Sequence, residues 1–291
     1  MSVETAWGDA PTVLRMILGR QLEELRTRAG LSFEQAAEAI GVSHSTLRRM
    51  EAAKVARLRL AEVEKLLRTY GITDQNEIDT FLQSVREANK RGWWHNYRDV
   101  MPDWFAAYLS LERAALQIRA YEPQFVHGLL QTQEYARALL TAGNPHASDG
   151  ATERMVALRM QRQELLHRQN PPRLWVVMDE TVLRWPVGGA EVMRAQIDHL
   201  IAVSALPHVT LQIMPFRNGP HPAMRAGAFH LFRFKARELP DIVYLNGMVG
   251  AVYLDKDEDV LVYREALDRL GAQSVPARKT EELLGAIRKE L

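Results

Sequence analysis

The sequence predicts an α+β chain, with an all-α N-terminal bundle followed by a larger α+β domain built on a short-stranded sheet. Three observations carry this. Through the first 90 residues apolar side chains recur three or four apart, the period of helices with one buried face. From Arg173 onward short apolar or alternating runs join the helical segments, which is the strand signal. Between them, at "RGWWHNYRDVMPDW", the composition changes abruptly, and three of the chain's six tryptophans fall within a dozen residues. The organisation read from this is residues 1–90, a seam at 91–104, and residues 105–291. A chain of 291 residues has room for two separate cores.

Each N-terminal element has a local reason. In residues 12–29, Val13, Leu14, Ile17, Leu18, Leu22 and Leu25 share one helical face, and Gly30 follows as a stop. Ser32 stands three residues before Gln35, the spacing of a capping box, so a second helix is expected over Phe33–Ile40. It turns Phe33, Ala36, Ala37 and Ile40 inward, and the two alanines are small enough for another helix to cross closely. Gly41 makes the turn. Ser43 then caps a third helix on which Leu47 and Met50 share one face and Ser45, Arg48 and Arg49 the other. From Arg48 to Arg59 five cations (Arg48, Arg49, Lys54, Arg57, Arg59) stand against one acid, Glu51, so a basic face begins here although the net charge is only +1. "RLAEVEKLLRTYG" and "NEIDTFLQSVREANKRG" supply two further helices and complete a small bundle.

Two short helices joined by a glycine turn, the second basic and serine-capped, form a helix-turn-helix. "LSFEQAAEAIGVSHSTLRRMEAAK" resembles the DNA-binding unit of lambda-repressor-like (Cro/C1-type, XRE) transcriptional regulators, in which the stretch reads L-S-Q-E-E-L-A-x-x-x-G-V-S-x-x-x-I-S-R-x-E-x-G. The match includes Leu31, Ser32, Glu34, Ala37, Gly41, Val42, Ser43, Thr46, Arg49 and Glu51. The resemblance implies that His44, Ser45, Thr46 and Arg48, at the start of the recognition helix, meet base edges in the major groove. Arg48 suits a bidentate contact to guanine. Arg49, Lys54, Arg57 and Arg59 are implied to hold phosphates, adding affinity without reading sequence. Glu51 takes the family position of a cap or internal ion-pair partner. Phe33 stands where the family carries a polar glutamine, a departure from the family pattern at a position that usually contacts DNA.

In the C-terminal part, "MPDWFAAYLSLERAALQIRAY" reads as an amphipathic helix, "TQEYARALLTAG" as another with Thr132 as cap and Gly143 as stop, and "TERMVALRMQRQELLHRQ" as a third starting at Thr152. Strands are expected at Arg173–Met178, Val209–Met214 and Ala228–Phe234, and "DIVYLNGMVGAVYL" reads as a hairpin turning at Asn246-Gly247. "AEVMRAQIDHLIAVSAL", Val260–Leu270 and Arg278–Leu291 are helical. The blocks "YEPQFVHGLLQTQEYARALL", "RMQRQELLHRQNPPRLWVVMDETVLRWPVGG" and "GAFHLFRF" resemble the C-terminal domain found behind lambda-repressor-like units in a large group of actinobacterial regulators. Those regulators are often classed as antitoxin-like and commonly sit beside a gene for a small partner protein. The resemblance covers most of residues 105–285 and implies no chemical activity.

Composition and spacing exclude several function classes. With no cysteine there is no disulfide, thiolate nucleophile or cysteine-ligated zinc. The run "MSVETAWGDAPTVLRM" does not read as a signal peptide, and no stretch is long and apolar enough for a membrane helix, so a cytoplasmic location and no membrane association are expected. Asp179-Glu180 are adjacent at a strand end and point apart. Asp255, Asp257 and Asp259 imitate a calcium loop, but Val260 replaces its glycine and Ala266 its final acid, so they read as a cap cluster. His208, His221 and His230 have no acid spaced to complete a ligand set, and no phosphate loop is present. The expectation is no catalytic residue, no metal site and no cofactor.

The function expected is therefore a sequence-specific, homodimeric regulator of transcription that binds double-stranded operator DNA, with a C-terminal domain that takes an effector or a small partner protein. Alternatives are an antitoxin-like interaction protein with autoregulatory DNA binding, and a one-component metabolite sensor. Trp93, Trp94, Trp104 and Tyr108 bracket the seam; they read first as packing between domains and second as partner or interface candidates, because Trp and Tyr favour such surfaces.

Overall fold

Pro11 opens the first helix with a φ already near the helical value and no N–H to leave unsatisfied. The structure, a computed structural model, describes residues 10–291; residues 1–9, on which the reading of the chain's start rests, lie outside the described residues. Helices α1 (Pro11–Arg28), α2 (Phe33–Ile40), α3 (His44–Glu51), α4 (Leu60–Thr69), α5 (Gln75–Ala88) and α6 (Phe105–Ala114) follow in order. The chain divides into two units, and the first holds the described residues up to His95 together with Ala106–Ala114 and Ala236–Leu239. Its core is the apolar face of α1 packed on the rest of the bundle: Leu22, Leu47, Val63, Leu66 and Ile78 are all fully buried.

Most of α6 groups with this bundle, although in sequence it follows the seam at residues 91–104. The physical reason is a helix start in need of acceptors. The N–H groups of Thr12 and Val13 have no partner within α1, and both donate to the buried Oγ of Ser110, at 3.1 and 3.2 Å.

The second unit contains β1 (Gln117–Glu122), α7 (Gln133–Gly143), α8 (Asp149–Gln163), β2 (Arg173–Asp179), α9 (Thr181–Arg184), α10 (Ala190–Ser204), β3 (Val209–Met214), β4 (Phe229–Arg233), β5 (Ile242–Asn246), β6 (Ala251–Leu254), α11 (Asp257–Gln273) and α12 (Thr280–Glu290). The six strands form one mixed sheet in the order β3-β2-β1-β4-β5-β6, parallel from β3 to β1 and antiparallel from β1 to β6. One face carries Tyr121, Val177, Phe229, Leu231 and Val243, packed against Leu267 and Leu270 of α11. Because strand side chains alternate, Ile118, Ala120, Val176, Met178, Leu211 and Phe232 take the opposite face, and all six are buried too.

Several local expectations change. The segment read as one helix up to Tyr121 breaks at Ala115, which is extended, and continues as β1, the strand between β2 and β4. Helix α8 starts at Asp149 with Ser148 as its cap, three residues before Thr152. Gly143 is the last helical residue of α7 and Asn144 closes it, while Thr132 caps its start as expected. The hairpin turns later than Asn246-Gly247: Asn246 remains in β5 opposite Ala251, its side chain accepting from the Tyr244 hydroxyl, and Gly247–Gly250 form the loop. The helix starts earlier than Val260, with Lys256 at its N-cap, so Asp257, Glu258 and Asp259 lie within the first turn of α11, where they meet the positive end of the helix dipole.

Candidate nucleic-acid interface

Helix α2 begins with a complete capping box. Ser32 Oγ accepts from the Gln35 N–H at 3.2 Å, and Gln35 Oε1 accepts from the Ser32 N–H at 2.9 Å. Gly41 ends the helix in the left-handed conformation at φ +75°, and the N–H of Val42 reaches back to the Ala37 carbonyl at 3.0 Å, a Schellman closure. Only a residue without Cβ makes that turn cheaply. The same closure ends α3, with the Lys54 N–H on the Arg49 carbonyl at 2.8 Å, although there the left-handed position is held by Ala53 at φ +53°.

The start of α3 is anchored from below and exposed above. Leu47 and Met50 are 0 % and 2 % exposed, while His44, Ser45, Arg48 and Arg49 face solvent. Ser43 Oγ accepts from the Thr46 N–H at 3.2 Å and lies 2.9 Å from both Ser45 Oγ and Thr46 Oγ1. Thr46 is half-buried with its hydroxyl engaged at the cap, so His44, Ser45 and Arg48 are the more accessible of the residues assigned to base edges. Lys54, Arg57 and Arg59 are also exposed, and Arg59 pairs with Glu62 at 2.9 Å.

Beneath α3 lies a buried ion pair. Arg26 donates from Nε to Glu51 Oε1 at 2.8 Å and from Nη2 to Oε2 at 3.0 Å, and its Nη1 donates to the Leu31 carbonyl. The hydrogen bond to Glu51 raises the Arg26 pKa above its ordinary value against the opposing effect of burial. Glu51 is thus an internal ion-pair partner. Phe33 explains its departure from glutamine: the Arg26 guanidinium lies 3.9 Å from the centroid of its ring and the Arg48 guanidinium 4.9 Å. The aromatic ring gives up a polar contact but provides a platform on which Arg48 rests.

The geometry is that of a helix-turn-helix protein, with a capped helix whose exposed N-terminal end carries polar and cationic side chains. A family model described as "Helix-turn-helix domain" matches residues 17–81, and one described as "Domain of unknown function (DUF5753)" matches residues 105–286. The second match spans more than half of the chain, which belongs to the DUF5753 family and carries an XRE-type helix-turn-helix ahead of that domain. No curated protein and no solved structure matches the chain. Among the described residues no helix is long and apolar enough to cross a membrane.

The aromatic candidates at the seam divide by burial. Trp94 is 6 % exposed with Gly92 packed so close to its ring that a Cβ there would lie 2.4 Å away, and Tyr108 is 2 % exposed with its hydroxyl on Glu112. Both are core residues, which removes them as partner surfaces. Trp93 meets Trp94 edge to face and stays half-exposed, as does Trp104, whose ring meets Phe105 and whose carbonyl accepts from Tyr253.

In the second unit the acidic pair separates as expected: Asp179 accepts from the Tyr121 hydroxyl at 2.5 Å, and Glu180 accepts from Arg184 and from the Phe216 N–H. Of the three histidines, His221 lies by Tyr121, while His230 joins Glu122 and His127, two residues that sequence reasoning did not single out. Burial, then the nearby His230, Arg162 and Arg159, holds the His127 pKa well below the ordinary histidine value. Nothing in local spacing marks this cluster, since its third member is more than 100 positions away in sequence.

Proposed function

We propose that the chain is a sequence-specific transcriptional regulator that reads operator DNA with the N-terminal end of α3, as a homodimer, while the DUF5753 domain takes an effector or small partner protein and has no catalytic role. The observation that carries this reading is the arrangement of α3, with Leu47 and Met50 fixed in the core, Ser43 capping the start, and His44, Ser45 and Arg48 presented outward. A recognition helix meets bases through its first turns, and a single one covers half a site, which is why regulators of this fold pair two of them. Among the partner readings, an antitoxin-like capture of a small protein is favoured by the tip of the β5–β6 loop, where Met248 and Val249 are almost completely exposed.

The DNA reading separates two kinds of arginine. Arg48→Ala is expected to cost about 1–3 kcal/mol at the cognate site and to relax specificity at one position, whereas Arg57→Ala weakens all sequences alike and lowers the salt slope by about one. Gel shifts on specific and mixed-sequence duplexes across a salt series measure both. Unchanged binding in the two variants sinks the assignment.

A further inference from the structure

Glu122, His127 and His230 converge on the sheet face opposite α11, and they are 2 %, 0 % and 8 % exposed. Glu122 ends β1. His230 stands on the adjacent strand β4 opposite Ala120, so Glu122 and His230 are diagonal neighbours on one face, with Nε2 and Oε1 2.8 Å apart. His127 comes from the connection after β1, where it precedes a short 3-10 turn at Gly128–Leu130, and its ring centroid lies 4.8 Å from that of His230. One donor atom from each residue lies within 4.8 Å of the other two. Two atoms of the cluster, Glu122 Oε2 and His127 Nε2, have no hydrogen-bond partner in the protein. Buried polar atoms are almost always satisfied, so two orphans in one cluster call for an occupant.

The geometry points to a binding site for a divalent first-row transition-metal ion held by Glu122, His127 and His230. Two imidazoles and one carboxylate suit Zn²⁺, Co²⁺ or Fe²⁺, whereas Ca²⁺ and Mg²⁺ prefer shells of oxygen. Donors sharing a tetrahedral ion at roughly 2.1 Å lie about 3.4 Å apart, so contraction of the widest separations by up to about 1.4 Å closes the site. The cationic neighbours Arg159 and Arg162 act against an ion held by charge alone and favour one bonded to imidazole nitrogen.

Occupancy has a structural consequence. His127 Nδ1 accepts the Leu129 N–H at 3.2 Å, which requires a lone pair there and puts the proton of the neutral ring on Nε2. Coordination through Nδ1 gives that lone pair to the ion; coordination through Nε2 moves the ring proton to Nδ1. By either route the Leu129 N–H loses its acceptor and the Gly128–Leu130 turn loses its cap. The ion therefore reports itself at a specific backbone amide. This inference stands independently of DNA binding.

The test uses the full chain, stripped with chelator and titrated with Zn²⁺ by calorimetry and with Co²⁺ by visible absorption, both as folded protein and after refolding with the ion. The expected result is one equivalent bound, Co²⁺ d–d bands, and loss of hydrogen-exchange protection at Leu129 on loading. His127→Ala and Glu122→Gln are each expected to weaken binding by about tenfold or more, while His221→Asn leaves it unchanged. No stoichiometric binding to the unsubstituted chain under either loading condition overturns the proposal and leaves a bridging water as the occupant. Binding that survives both substitutions, or a Leu129 amide equally protected in the loaded protein, overturns it as well. The stoichiometry and the amide readout come from the unsubstituted chain, so a variant that fails to fold does not hide the answer.

Discussion

Glu51→Ala is expected to destabilise the N-terminal unit by about 3–5 kcal/mol, the cost of leaving one member of a buried ion pair uncompensated. Arg26 and Glu51 are 8 % and 5 % exposed and meet through two parallel hydrogen bonds. Without the carboxylate, the guanidinium retains the Leu31 carbonyl and the Phe33 ring but loses its hydrogen-bonded counter-charge, with only the weaker influence of Glu23 left. Glu51 also ends α3, so its loss loosens the helix that carries the proposed DNA contacts. The double variant Arg26→Met/Glu51→Leu removes both charges and is expected to be near neutral, because desolvation of the pair offsets most of its attraction. Denaturant unfolding followed through amide exchange in α1 and α3 measures both. A cost below about 1 kcal/mol for Glu51→Ala, the range of exposed pairs, would mean that the guanidinium reaches water instead.

Gly19→Ala provides a test in which the sign decides. Alanine in a helix interior normally stabilises by about 1 kcal/mol over glycine. Here a Cβ on Gly19 would lie 2.2 Å from the Glu51 carbonyl oxygen and 3.0 Å from that of Met50, and both are backbone atoms that cannot swing aside. Helix α1 crosses the end of α3 at this glycine, so the added methyl must push the helices apart. The expected net effect is a loss of about 1–3 kcal/mol, as for other overpacked cores, with weaker DNA binding because α3 is displaced. Thermal unfolding reads the outcome, and a raised Tm would show that the two helices separate freely.

The N-terminal unit was legible in the sequence because its information is local. The Ser32/Gln35 box, the Gly41 turn and the Ser43 cap are each decided within a few residues, and all three take the expected form. Gly19 was not, since its partner is the backbone of a helix some 30 positions later. The strands β2, β3 and β4 were read within one or two residues at either end, while β1 was absorbed into a helix. The alternation in "QIRAYE" lasts only from Gln117 to Ala120, and the strand follows the preceding helical run directly, so its short period does not stand out from that helix. The same strand ends in Glu122, which is why the Glu122, His127 and His230 cluster could not be assembled from spacing; it needs the pairing of β1 with β4. The seam aromatics show the same limit, for composition alone does not distinguish an interface tryptophan from a core one such as Trp94.

Sequence-specific recognition by α3 is tested most directly by selection of the full chain on a randomised DNA duplex library, followed by sequencing of the bound fraction. The expected result is one enriched motif made of two inverted half-sites centred about one helical turn, ~34 Å, apart, with the Arg48→Ala chain losing preference at one base pair of each half. A bound fraction with no sequence enriched over the starting library, at any salt concentration that permits binding, would contradict sequence-specific recognition by this helix.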